Sequence, residues 1–107
     1  MSEQNQQDCC SSTINEMFDS QFFKALADGS RLAVLMQLAA IGNEKTVTEI
    51  AACCPQSISV VSRHLKMLKE SGILSAQKHG KEVVYRFENK EVANQLRRLA
   101  DAVENCC

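Results

Sequence analysis

Histidine, proline and tryptophan are scarce in this chain, and long apolar runs are missing altogether. Its 107 residues include two histidines, one proline and no tryptophan. No stretch approaches the roughly 20 apolar residues of a membrane helix, so a membrane span is not expected. Residues 1–8 are polar and acidic where a secretory leader would be basic and then apolar, which points to a cytoplasmic protein. No recognisable set of base, nucleophile and orienting residue is present, so neither enzymatic activity nor an organic cofactor is expected. A large excess of either charge is also missing, the net value being −1. What remains, at 45% hydrophobic residues, suffices for one compact domain.

Cysteine breaks this sparseness. All six cysteines stand in adjacent pairs, Cys9-Cys10, Cys53-Cys54 and Cys106-Cys107, at the start, middle and end of the chain. Neighbouring thiols do not easily close a disulfide on each other, and a reducing compartment keeps thiols free. The pattern therefore suggests soft-ion binding or redox sensing rather than structural bridging. Residues 1–10, polar and rich in glutamine, read as a flexible segment carrying the first pair. A single folded unit is expected over residues 11–107.

The near-zero net charge conceals a segregation. Between Ser57 and Arg86 stand Arg63, Lys66, Lys69, Lys78, Lys81 and Arg86 against Glu70 and Glu82, a balance of +4. The first thirty residues balance to −4, with Lys24 opposing Glu3, Asp8, Glu16, Asp19 and Asp28. Basic charge gathered in one segment is the footprint required for phosphate.

Helical periodicity predicts a first helix over residues 12–27, from Ile14, Met17, Phe18, Phe22, Ala25 and Leu26. Asp28, Gly29 and Ser30 break it. A second helix over residues 30–40 carries Leu32, Val34, Leu35 and Leu38 toward the core and ends at Gly42 and Asn43. Thr46, three residues before Glu49, has capping-box spacing and opens a short helix with Val47, Ile50 and Ala51, stopped by Pro55 after Cys53-Cys54.

Over residues 57–71, Ile58, Val61, Leu65 and Leu68 follow the spacing of one buried stripe. At 100° per residue, Ser59, Arg63, Lys66 and Met67 fall on the opposite face. Gly72 occupies the position after the helix that favours a left-handed residue. Leu74, Ala76, Val83, Tyr85 and Phe87 then lie in two alternating runs separated by His79-Gly80-Lys81, a β-hairpin with a basic tip. Asn89 is placed to cap a last helix whose stripe is Val92, Leu96, Leu99 and Val103, running on into Cys106 and Cys107.

This order of elements, mainly α with a β-hairpin wing, is that of a winged helix-turn-helix. In such folds the second helix of the turn enters the major groove and the wing adds backbone contacts. Packing alone accounts for the buried stripe but not for Ser59, Arg63 and Lys66 sharing a face beside a basic hairpin. The residues expected at double-stranded DNA are Gln56, Ser57, Ser59, Ser62, Arg63, Lys66, Lys78, His79 and Lys81.

Three groups of words in this sequence closely resemble the ArsR/SmtB family of bacterial metal-responsive repressors. They are Phe23 to Asp28 with Arg31-Leu32, the run Ser57 to Leu68, and Gly72 to Leu74 with Gly80 to Tyr85. The resemblance covers about residues 18–90. It implies a homodimer joined through the first and last helices, an operator of dyad symmetry, and release of DNA when an inducing ion binds. Two of the family's sensing sites do not carry over. Thr46 to Ile50 contains no thiol where some members have cysteines at the start of the third helix. The only histidines, His64 and His79, lie outside the last helix, where zinc sensors of the family place Asp, His and Glu. His64 falls inside the family motif and reads as a structural or DNA-proximal residue.

Sensing is left to Cys9, Cys10, Cys53, Cys54, Cys106 and Cys107. The terminal pairs border the expected dimer interface and the central pair adjoins the DNA-reading helix. Arsenic sensors of the family place their thiols at varied positions, including an N-terminal vicinal pair joined by a partner subunit's thiol, and this chain is similar in that respect. Thiols without imidazole or carboxylate partners suit trivalent arsenic or antimony, held by three sulfurs. Cadmium held by four thiolates comes second and zinc behind it. A redox or persulfide switch on the same scaffold is the alternative sensing chemistry. A thiol-rich buffering or partner-binding module without DNA binding ranks below both.

Overall fold

The fold is that of a computed structural model, which describes residues 20–42 and 44–105. Asp28 determines where its first two helices part. The residue is extended (φ −84°, ψ 120°), and its Oδ1 accepts hydrogen bonds from the backbone N–H of Ser30 (2.9 Å) and Arg31 (3.1 Å). Helix α1 (Ser20–Ala27) ends before it and α2 (Gly29–Ile41) begins after it. Gly29 and Ser30, expected to help break the chain, are helical because this cap satisfies the first free N–H groups of α2. Arg31 closes the corner from the other side. Buried to 8% exposure, it donates from Nη1 to the carbonyls of Lys24 (3.0 Å) and Ala25 (3.3 Å) and lies 3.6 Å from the Asp28 carboxylate. The expected first helix extends back to residue 12, and its Ile14, Met17 and Phe18 fall outside the described residues. Within them, Phe22 and Ala25 are buried and Leu26 is half-buried.

Helix α2 buries Val34, Leu35 and Leu38, whereas Leu32, expected in the core, is 39% exposed. At 100° per residue the three buried side chains share one arc and Leu32 lies well off its centre, on the outward face with Met36. Gly42 ends the helix with φ 102°, and its N–H donates to Leu38 O at 3.1 Å. Glu44, also left-handed (φ 66°), turns the chain into a two-residue strand, β1 (Lys45–Thr46), that the sequence did not announce.

The capping box forms as expected. Thr46 Oγ1 accepts from Glu49 N (3.2 Å) and Glu49 Oε1 accepts from Thr46 N (2.9 Å), opening α3 (Val47–Ala51). Pro55 does not stop this helix. It ends at Ala51, and Cys53 and Cys54 sit in a turn whose N–H groups bond to Ile50 O and Ala51 O, both at 3.1 Å. Helix α4 (Ile58–Glu70) starts at Ser57, whose hydroxyl accepts from Val60 N (3.4 Å), and buries Val61, Leu65 and Leu68 completely. Ile58, expected on the same stripe, is 50% exposed because it lies in the first turn, past the edge of the core. Gly72 takes φ 82° after the helix, as expected.

Strands β2 (Leu74–His79) and β3 (Glu82–Phe87) pair antiparallel from Leu74 opposite Phe87 to His79 opposite Glu82. His79 thus belongs to the strand, and the turn is Gly80-Lys81 alone. Val83, near the tip, is 37% exposed, while Tyr85 reaches the core. Strand β1 pairs with the other edge of β3, Lys45 opposite Tyr85 and Thr46 opposite Val84, giving the order β1-β3-β2. Helix α5 (Asn89–Glu104) has Glu88, not Asn89, at its cap position, without a side-chain cap bond. The Glu88 carboxylate is engaged instead with Ser75 Oγ at 2.6 Å. Val92 is buried, but Leu96 and Val103 are 42% and 54% exposed, so α5 is anchored by its first turns and carries its apolar stripe into solvent. Among the described residues no helix is long and apolar enough to cross a membrane.

Leu65→Ala should lower unfolding free energy by about 2–5 kcal/mol in a urea titration, the range for truncating a fully buried leucine. The carboxyls of Asp28 and Glu49 lie below the ordinary carboxylate range, chiefly through the N–H groups of Arg31 and Thr46 that they accept. Their contribution is present above the ordinary carboxylate pKa and lost as pH falls through the lowered folded values. Asp28→Asn with Glu49→Gln should accordingly flatten the fall of melting temperature between about pH 5 and pH 3.

Candidate nucleic-acid interface and thiol site

The outward face of α4 carries four of the residues expected at DNA. Ser59, Ser62, Arg63 and Lys66 are all exposed, held in place by Val61, Leu65 and Leu68 on the opposite side. Short hydroxyls stand near the start of the helix and cations further along, an order suited to base edges first and phosphates next. Lys78, His79 and Lys81 are exposed on the hairpin and its turn. Two expected residues are partly committed elsewhere. The Ser57 hydroxyl caps α4, and half-buried Gln56 turns its Oε1 inward without a hydrogen-bond partner. Half-buried His64 likewise has its Nδ1 inside without a partner, in keeping with a structural reading of that residue.

The central thiols differ from each other although they are adjacent. Cys53 is exposed; Cys54 is half-buried and packs against the core. Burial, and then the neighbouring Cys53, pushes the Cys54 thiol above its ordinary value. Among the described residues no three His, Cys, Asp or Glu side chains come together as a metal-holding group. Cys9, Cys10, Cys106 and Cys107 lie outside the described residues. The central pair therefore offers two sulfurs, one accessible and one half-hidden.

The pairing of Thr46 with the wing went unrecognised in the sequence. This residue caps α3 and also pairs with Val84 of the wing, so the start of α3 is fastened to β3 while its end leads through Cys53-Cys54 into α4. The available signal was a β-branched cap preceded by lysine, too short a run to show alternation. The thiol turn consequently lies between a helix fastened to the wing and the helix expected to read DNA.

A short helix, a turn, a polar-faced helix on a shared core and a basic hairpin define a winged helix-turn-helix domain. Residues 26–75 match the family described as Helix-turn-helix domain. The chain is 44% identical over 67 residues, 63% of its length, to the arsenical resistance operon repressor of Escherichia coli strain K12, of which it covers 56%. It is 36% identical over 77 residues, 72% of its length, to the cadmium resistance transcriptional regulatory protein CadC of Listeria innocua, of which it covers 64%. A Mycobacterium bovis structure is described as the homodimeric winged helix-turn-helix DNA-binding domain of a possible ArsR-family transcriptional regulator. It superposes with TM-score 0.62 at 32% identity, covering 80% of this chain and 77% of that one. The chain belongs to the ArsR/SmtB family of transcriptional regulators. It spans less than two thirds of the length of the two curated relatives named above.

With the other four cysteines replaced by serine, iodoacetamide should alkylate Cys53 several-fold faster than Cys54, since the thiolate is the reacting form and Cys54 is less accessible, with its thiol pushed up by burial. Peptide mass spectrometry over a time course reads the two rates, and equal rates would contradict the asymmetry.

Proposed function

We propose that the protein is a homodimeric repressor that binds operator DNA of dyad symmetry and releases it when arsenite or antimonite binds its cysteine thiols. The observation that carries this reading is the position of Cys53 and Cys54 between a helix tied to the wing and the helix that bears Arg63. An ion drawing these sulfurs toward a further thiol shifts α3, and with it both DNA-contacting elements. The uncovered stripe of Leu96 and Val103 on α5 supports dimerisation through the last helix, with the first helix as its expected companion.

Proton balance favours the metalloid. When As(OH)3 or Sb(OH)3 meets three thiols, three bonds to sulfur form and three to oxygen break. Each hydroxyl leaves with a thiol proton as water, so no net proton is released. A divalent cation taking four thiolates must instead expel four protons, and the raised Cys54 thiol opposes that step. Cadmium is the second reading, favoured by the similarity to a protein named as a cadmium resistance regulator, with zinc behind it.

The test uses reduced full-length protein on a duplex selected by it from a randomised library, titrated with antimonite, arsenite, cadmium and zinc. Metalloid should release DNA from the wild type and not from Cys53→Ser/Cys54→Ser, whose operator affinity should be unchanged. Release by cadmium alone would replace the metalloid reading, and undiminished release from the double variant would remove the central pair from the sensor. Across about pH 6 to 8 the metalloid response should be nearly flat, while any cadmium response should strengthen with rising pH because protons are products.

The DNA face has separate signatures. Arg63→Ala should cost about 1–3 kcal/mol on the selected sequence and relax discrimination there. Lys81→Ala should weaken all sequences alike and lower the salt slope by about 1. Binding of selected and scrambled duplexes at several salt concentrations distinguishes them.

A further inference from the structure

Ile58 is the residue of the α4 stripe that the core does not cover. Its three companions on the helical stripe, Val61, Leu65 and Leu68, have no exposed surface, yet Ile58 is 50% exposed. Its place gives that exposure meaning, for Ile58 is the first residue of α4, next to Ser59 and one turn before Ser62. In a helix-turn-helix the first turn of the second helix meets the base edges. Every other exposed group named on that end of the helix is a hydroxyl or a cation. A branched aliphatic side chain there can neither donate nor accept a hydrogen bond, and it lies outside the buried core cluster.

The major groove displays one aliphatic group, the C5-methyl of thymine. Contact with it is the one favourable use of an exposed isoleucine in that groove. We infer that Ile58 is a specificity-determining residue that recognises a thymine methyl in each operator half-site, a proposal resting on the DNA-binding reading above. Ser59 and Ser62 supply hydrogen bonds that several base edges satisfy, whereas Ile58 adds a contact that cytosine, lacking the methyl, does not return. A base pair carrying an amino or keto group alone at that position leaves the isoleucine against a polar edge.

The experiment removes only the methyl. From duplexes selected by the full-length dimer, each thymine in turn is replaced by deoxyuridine symmetrically in both half-sites, and affinity is measured for wild type, Ile58→Val and Ile58→Ala. Loss of one buried methyl contact corresponds to about a four-fold change per half-site, hence about fifteen-fold for two. The wild type should show that loss at one thymine position, Ile58→Val should show most of it, and Ile58→Ala should bind thymine and uracil duplexes equally. Unchanged circular dichroism in both variants would show that α4 remains folded, as expected for a side chain outside the core. Equal sensitivity in wild type and Ile58→Ala, or no sensitive thymine, overturns the assignment while leaving DNA binding intact. Failure to enrich any duplex overturns the DNA-binding reading itself, and with it this one.

Discussion

A helix of five residues cannot hold itself together, and α3 is five residues long. Isolated helices shorter than roughly 12 residues are marginal in water because nucleation costs more than a few hydrogen bonds return. Helix α3 therefore exists only by its attachments. Thr46 and Glu49 cap it, Thr46 joins its start to the wing, and fully buried Ile50 pins it to the core. Its far end, where Ala51 and Cys54 pack only partly against the core, runs out into the turn through Cys53 and Cys54. The element with the least intrinsic stability thus connects wing, core and α4, and its far end leads into two thiols.

Helix α4 is built to the opposite rule. Three residues without exposed surface fix its rotation, because packed interiors admit little adjustment. Whatever α4 presents outward is consequently held at a defined angle to the hairpin. The charge division fits this arrangement, since the +4 segment from Ser57 to Arg86 includes both α4 and the hairpin. A net charge of −1 gives no sign of it. Rigidity in α4 and contingency in α3 are complementary in the proposed mechanism, where a shift at the thiol turn would move α4 as a body without deforming its outward face.

Most of the architecture was legible because its signals are local. The Thr46/Glu49 spacing, the left-handed Gly72 and the stripe of Val61, Leu65 and Leu68 each rest on residues within one or two turns of each other. The failures share a cause. Ile58 and Leu32 are apolar at roughly helical spacing, but whether such a position is covered depends on where neighbouring elements end, and that is a tertiary fact. Strand β1 has two residues and exists only by pairing with β3, so no periodicity could reveal it. Asn89 is a better intrinsic cap than Glu88, yet the helix starts one residue earlier, where Glu88 is held by Ser75 across the hairpin base. For the candidate site, composition disclosed the thiol pairs and the basic face. The asymmetry between Cys53 and Cys54 came only from packing against the core.

That asymmetry bears on how an inducer couples to DNA in the proposed mechanism. Two sulfurs leave a trivalent metalloid one bond short, and no third ligand stands near the pair among the described residues. The missing sulfur must then come from another part of this chain or from a second copy. Either source joins the least self-sufficient segment of the fold to a point outside it. Cys54 must also leave some of its packing to bind, so the metalloid-bound turn differs from the free one by the core contact it gives up. If the free turn is the one whose α4 and wing match the groove, DNA and metalloid select different states of the same segment. Their binding is then reciprocally unfavourable, by the roughly 1–3 kcal/mol common for such coupling. The half-burial of Cys54 is in that case part of the switch, adding the core contact given up on binding to the pull exerted through the third sulfur.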